Sequence, residues 1–253
     1  MSIINTLTSV IIDVGLDVEA YEKYRDYTSF LVVTEGVVAD IDKTQLLDYT
    51  SHGSECLRYF EMGSKSVANY FILLQNNDDG KCNILDLIVA LDWCVDNGIS
   101  LISLSMGTTV YSDAALFSDV LKRISDAGIC IVAGASNGRS LSFPACLNGV
   151  VGVAHDYTFE SISGDFAYFD DPFDGVDIVL NPKVTGDLID SNSMATAYFS
   201  GLVFNAFRNN IAEPHNVKKW IADNAGSLTL FKNSEITSSI KERFSKFEWY
   251  VIF

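Results

Sequence analysis

Ser193 lies in the run Ser191-Asn192-Ser193-Met194-Ala195-Thr196-Ala197-Tyr198-Phe199-Ser200-Gly201, continued by Leu202, Val203, Phe204, Ala206 and Phe207. The run is apolar almost all round, which predicts a helix buried on every side. A serine in the first turn of such a helix sits among unpaired N–H groups at the positive end of the helix dipole. An oxyanion forming beside that hydroxyl would be stabilised there. Taken alone, the same pattern also describes a serine N-cap on a core helix.

A nucleophilic serine needs a base, and the chain holds three histidines, His52, His155 and His215. His215 follows Pro214 at a helix start, and His155 ends an apolar strand. His52 is followed by Gly53, is predicted to open a helix, and comes after Asp13 at the end of a strand. In the order Asp13, His52, Ser193, the carboxylate would orient the imidazole. The imidazole would take the serine proton and later return it to a leaving amine. Asn137, in the turn Ser136-Asn137-Gly138, could supply an amide donor that shares the tetrahedral oxyanion with the Ser193 backbone N–H.

These residues must be positioned by the elements between them. Short apolar runs predict strands over 9–12, 28–33, 70–74, 99–106, 130–135 and 150–153. Helical spacing predicts helices over 82–97, with Gly98 as its left-handed cap, and over 112–127, closed by Gly128. Strands and helices alternating in this way predict an α/β fold, a three-layer α/β/α sandwich around a mainly parallel sheet. In such folds the site lies beyond the carboxyl ends of the strands. Asp13, Gly107 and Asn137 all fall at such ends.

Composition sets the outer limits. The 253 residues carry 33 acidic against 17 basic side chains, a formal net charge of −16, which argues against nucleic acid or an anionic membrane as partner. Five cysteines form no Cys-x-x-Cys pair and are odd in number, as free thiols in a reducing compartment would be. No signal peptide or membrane-spanning run is visible, so the expected location is cytoplasmic.

Five segments, in order, resemble the motifs of the subtilisin-like serine proteases. Ile11-Ile12-Asp13-Val14-Gly15 matches that family's aspartate segment, and His52-Gly53-Ser54 its histidine segment. Leu104-Ser105-Met106-Gly107 matches the substrate strand, Ala135-Ser136-Asn137-Gly138 the oxyanion segment, and Ser191-Asn192-Ser193-Met194-Ala195 the nucleophile segment. Phe143-Pro144-Ala145 with Val150-Val151-Gly152-Val153 also resembles the family's stretch after the oxyanion residue. The resemblance implies a catalytic domain over 1–226, with 227–253 an extension packed on it or on a partner.

It further implies that Ser105-Met106-Gly107 and Gly80-Lys81-Cys82 are two edges between which an extended substrate peptide adds a strand. Ser105 and Met106, with Gly134, Ala135 and Ser136, would wall the pocket for the residue before the cleaved bond. Ser136 replaces a pocket-wall glycine and is expected to narrow that pocket. Ser191-Asn192 stands where the family has Gly-Thr, Ala197-Tyr198 where it has Pro-His, and Glu55 where a second histidine is common. The segment after His52 is short and leaves no room for the family's strong calcium loop, so neither metal nor cofactor is expected. The acidic aromatic stretch 165–174 reads as a solvated loop with buried rings rather than a calcium site. Asp13 lies twelve residues from Met1, so no pro-domain is expected before it. Cys56, one helical turn after His52, is expected behind the imidazole.

The function so implied is a cytoplasmic serine endopeptidase that removes a leader from a precursor peptide. A peptide-binding domain impaired by the altered Ser191-Asn192 turn and an enzyme of general protein turnover are the alternatives. The partner is an extended peptide or precursor, with no nucleic acid and no membrane, and the oligomeric state stays unassigned.

Overall fold

The structure is a computed structural model that describes residues 7–46, 51–76, 81–138, 140–155, 164–170, 172, 174–186 and 189–226. In chain order its elements are β1 (Ser9–Asp13), α1 (Val18–Tyr24), β2 (Ser29–Thr34), β3 (Val37–Asp40), α2 (His52–Ser64), β4 (Tyr70–Leu73), α3 (Ile84–Asp96) and β5 (Leu101–Leu104). They continue with α4 (Ser118–Asp126), β6 (Cys130–Gly134), β7 (Val150–His155), β8 (Phe166–Tyr168), β9 (Ile178–Leu180), α5 (Asn192–Arg208) and α6 (Val217–Asn224). The sheet order is β3-β2-β4-β1-β5-β6-β7-β9-β8. The seven inner strands run parallel, and β3 and β8 are antiparallel at the two edges.

The inner strands are buried on both faces, as near-continuous apolar runs require. Val10 and Ile12 point to a core closed by α3 and α4, while Ile11 points to one closed by α2, α5 and α6. The expected three-layer sandwich is therefore the observed one.

Three sequence expectations are corrected. The strand over 99–106 stops at Leu104, leaving Ser105-Met106-Gly107 outside regular secondary structure. The helix over 112–127 begins as a 3-10 segment, Tyr111–Phe117, which carries Phe117 into the core before α4 starts. The stretch read as a loop over 165–174 holds β8, whose Phe166 ring packs on Phe199 at 5.0 Å between centroids. The proposed extension over 227–253 lies outside the described residues.

Because β1, β5, β6 and β7 are adjacent and parallel, their carboxyl ends share one edge of the sheet. Asp13 ends β1, Ser105 follows β5, Ala135 to Asn137 follow β6, and His155 ends β7. Helices α2 and α5 both begin at this edge, with His52 and Asn192. They cross where Gly63 meets Gly201. A Cβ on Gly63 would stand 2.2 Å from the Tyr198 carbonyl oxygen, and one on Gly201 would stand 2.4 Å from that of Phe60. Neither position has room for a methyl group without parting the two helices.

Gly201→Ala is accordingly expected to lower folding stability by about 1–3 kcal/mol through overpacking. Thermal unfolding of the purified variant checks this, and an unchanged melting temperature would show that the crossing tolerates separation.

Candidate active site

The start of α2 is seated on the turn after β1. The Gly53 N–H donates to the Val14 and Gly15 carbonyls at 3.0 and 2.8 Å, and the Asp17 N–H donates to Ser54 Oγ at 3.1 Å. A Cβ on Gly53 would fall 2.6 Å from the Gly15 oxygen and 2.6 Å from the Phe71 ring, so glycine is what lets the helix approach. The residue before it, His52, is thereby set against Asp13.

Asp13 is fully buried, and its Oδ1 accepts from the Val14 N–H and from His52 Nδ1, each at 2.6 Å. Its Oδ2 is buried with no hydrogen-bond partner among the described residues. A buried carboxylate with half its acceptor capacity unused depends heavily on the imidazole it faces. His52 keeps its side chain 42% exposed. The hydrogen bond to Asp13 raises its pKa above the ordinary 6.5, against the opposing effect of burial.

Ser193 sits in the first turn of α5, where the Ser191 hydroxyl caps the helix by accepting from the Met194 N–H at 3.2 Å. Only 8% of Ser193 is exposed, and its hydroxyl donates to the Ser105 carbonyl at 3.2 Å. The sequence aims that hydroxyl at His52; here its acceptor is the backbone of Ser105, just beyond β5. Catalytic hydrogen bonds often form only when substrate is in place.

The Cys56 sulfur lies within 4.8 Å of a ring nitrogen of His52. It reaches Ser105 Oγ at 3.3 Å and the Ser193 carbonyl at 3.9 Å. Burial first, and the Asp13 charge second, push the thiol well above its usual pKa, so it stays protonated and is no nucleophile. Asp13, His52 and Cys56 offer donor atoms within 4.8 Å of one another, the one such group of three or more among the described residues. A cation bound there would displace the Asp13–His52 hydrogen bond.

Asn137 is exposed, and its Oδ1 accepts from the Asn192 N–H at 3.2 Å, which leaves the amide hydrogens on Nδ2 for another acceptor. Ser136 Oγ accepts from the Gly138 N–H at 3.1 Å and is thus engaged in its own turn. Met106 and Ala135 are half-buried, Gly107 and Lys81 exposed, and Gly134 buried against Thr196 and Asn192. Cys82 already pairs with Asn76 in an isolated antiparallel bridge, and Gly80 lies outside the described residues. His155 is not among the site residues that the sequence predicts. The structure places it at the same sheet edge, with both its N–H and its Nδ1 on Asn192 Oδ1. A histidine ending a central strand was the signal available.

No family model matches the chain. A stretch of 95 residues is 26% identical to the minor extracellular protease Epr of Bacillus subtilis (strain 168), spanning 36% of this chain and 14% of that protein. Among solved structures, the S41 psychrophilic protease matches with a TM-score of 0.64 at 16% identity, covering 87% of this chain and 83% of that one. The prenylagaramide maturation protease PagA matches with a TM-score of 0.57 at 14% identity, covering 85% and 82%. A lanthipeptide protease matches with a TM-score of 0.57 at 16% identity, covering 84% and 77%.

The fold is subtilisin-like.

A curated relative and the solved structures to which the chain is similar are proteases, and the likeness to the structures is one of fold. In that setting two expectations follow from the Asp13–His52 pair and Cys56. His52 accepts a proton only when neutral, and Asp13 holds its pKa above 6.5, so the acid limb of kcat/KM should have its midpoint above 6.5. Asp13→Asn should move that midpoint down as well as slow turnover, and a pH–rate profile of both proteins checks the shift. Linkage gives stability the matching sign: the pair's contribution is full below the unfolded imidazole's pKa and is lost as pH rises through the folded value.

Cys56 is fully buried and its thiol protonated, so an organomercurial should not reach it in the folded protein. The reagent should affect Cys56→Ser and the wild type alike, any loss of activity tracing to half-buried Cys82 or Cys146. Inhibition of the wild type that Cys56→Ser relieves would show that the start of α2 opens enough to admit the reagent.

Proposed function

We propose that the chain is a serine endopeptidase that cuts an extended segment of a precursor peptide in a reducing, cytoplasmic setting. The observation that carries this reading is the 2.6 Å bond from His52 Nδ1 to buried Asp13, at an edge where Ser193 opens a helix packed against that of His52. Ser193 is the nucleophile, and its hydroxyl turns from the Ser105 carbonyl to His52 Nε2 when a substrate strand occupies the edge. His52 takes the proton as the serine attacks the scissile carbonyl. The Asn137 amide and the Ser193 N–H then receive the oxyanion. His52 returns the proton to the leaving amine, and the resulting acyl-enzyme is hydrolysed by water through the same groups.

The end of β5 at Leu104, with Ser105-Met106-Gly107 continuing outside regular secondary structure at the sheet edge, supports a substrate that binds as an added strand, which only an unfolded segment can do. Two of the similar structures are a maturation protease and a lanthipeptide protease, which supports precursor processing as the task. All five cysteines are free, and no described helix is long and apolar enough to cross a membrane.

A second reading has one observation in its favour. The Ser193 hydroxyl already satisfied by Ser105 fits a domain that holds peptides without cutting them. Mass spectrometry of peptide libraries and precursor peptides incubated with the protein decides between the two. Cleavage within unfolded segments, abolished in Ser193→Ala, is the expected result; retained binding with no cleavage by the wild type would favour the second reading. Asn137→Ala should lower kcat by about a hundredfold to a thousandfold with little change in KM, a magnitude taken from a subtilisin and not obtained from this chain.

A further inference from the structure

The carboxyl ends of β6 and β7 meet the start of α5 at one buried side chain, Asn192, which is 6% exposed. Its Oδ1 accepts from the His155 N–H at 2.9 Å and from His155 Nδ1 at 2.8 Å. Its Nδ2 donates to the Ala135 carbonyl at 2.9 Å. A backbone N–H can only donate and a carbonyl can only accept, so the amide has one orientation here. For the same reason Nδ1 of His155 is the protonated ring nitrogen.

The Asn192 backbone N–H is thereby fixed, and it donates to Asn137 Oδ1 at 3.2 Å. That bond settles the second amide as well, since Oδ1 of Asn137 must face a donor and its Nδ2 hydrogens must face away from it. An uninterrupted chain of polar contacts thus runs from the end of β7 through Asn192 to the residue assigned to the oxyanion. Rotated by half a turn, Asn137 would present an acceptor to developing negative charge, which is repulsive where a donor is needed.

We infer that Asn192 and His155 are positioning residues of the oxyanion site: His155 orients Asn192, and Asn192 holds Asn137 with its donor outward. The inference rests on the peptidase reading above and gives the Ser191-Asn192 turn a role in place of an impairment. The Asn192 side chain is buried with its oxygen on His155 and its nitrogen on Ala135, and its backbone N–H on Asn137 is its route to the oxyanion.

A double-mutant cycle on a cleaved peptide tests this. Asn192→Ala should lower kcat about tenfold or more with KM within about twofold, as loss of a group acting on the transition state does. In the Asn137→Ala background the same substitution should cost less than about twofold, because the residue it orients is gone. Multiplying losses would overturn the inference and leave the peptidase reading intact. An Asn137→Ala variant with normal kcat would instead overturn the assignment of the oxyanion donor, and the inference with it. If Asn192→Ala does not fold, the cycle is run with His155. His155→Asn, which keeps a donor near the Nδ1 position, should retain kcat, and His155→Ala should lose it only while Asn137 is present. Equal losses in His155→Asn and His155→Ala would contradict the orienting role.

Discussion

The constraint on which the site depends is the crossing of α2 and α5 at Gly63 and Gly201, where backbone meets backbone with no side chain between. His52 begins one of these helices and Ser193 lies in the first turn of the other. At 1.5 Å per residue the crossing is about 16 Å from His52 and about 12 Å from Ser193, so a tilt of about 5° would move either group by about 1 Å. Misplacement on that scale costs about a hundredfold in rate. The glycine contact, the Phe60–Phe204 ring pair at 5.9 Å and the Gly53 seat on the β1 turn together suppress that tilt. Much of the core on this face of the sheet serves to hold two helix starts in fixed relation.

Electrostatics then divides the labour among groups crowded into one small space. Asp13 is buried with one oxygen doubly used and the other unused, which ties its charge to His52. The same charge, added to burial, keeps Cys56 protonated although its sulfur is close to the imidazole. A strong potential nucleophile is thus silenced, while the nucleophile we propose, the Ser193 hydroxyl, lies in the first turn of α5, where helix N–H groups favour an oxyanion.

Much of this arrangement was legible in the sequence because it rests on short-range rules. Asp13 and Asn137 follow apolar runs that can only be strand and turn, and His52-Gly53 marks a helix start that must approach another backbone. The buried helix of Ser193 announces itself by having no polar face. Other features depend on partners far along the chain. Gly63 and Gly201 look like ordinary helix interruptions until the helices cross. Asn192 looks like a departure from the family's turn until His155, 37 residues away, is seen on its oxygen. The strand β8 was hidden because its three residues carry both buried rings and flanking acids, and only pairing with β9 distinguishes them from a loop. Likewise, no local pattern tells that the Ser193 hydroxyl rests on Ser105.

The central claim is that His52, oriented by Asp13, activates Ser193. Its most direct test is to treat the folded protein with a fluorophosphonate and map the modified residue by peptide mass spectrometry. The account predicts a single adduct on Ser193 in the wild type and none in a folded His52→Ala variant. An adduct on another residue, or labelling of Ser193 that survives the loss of His52, would contradict it.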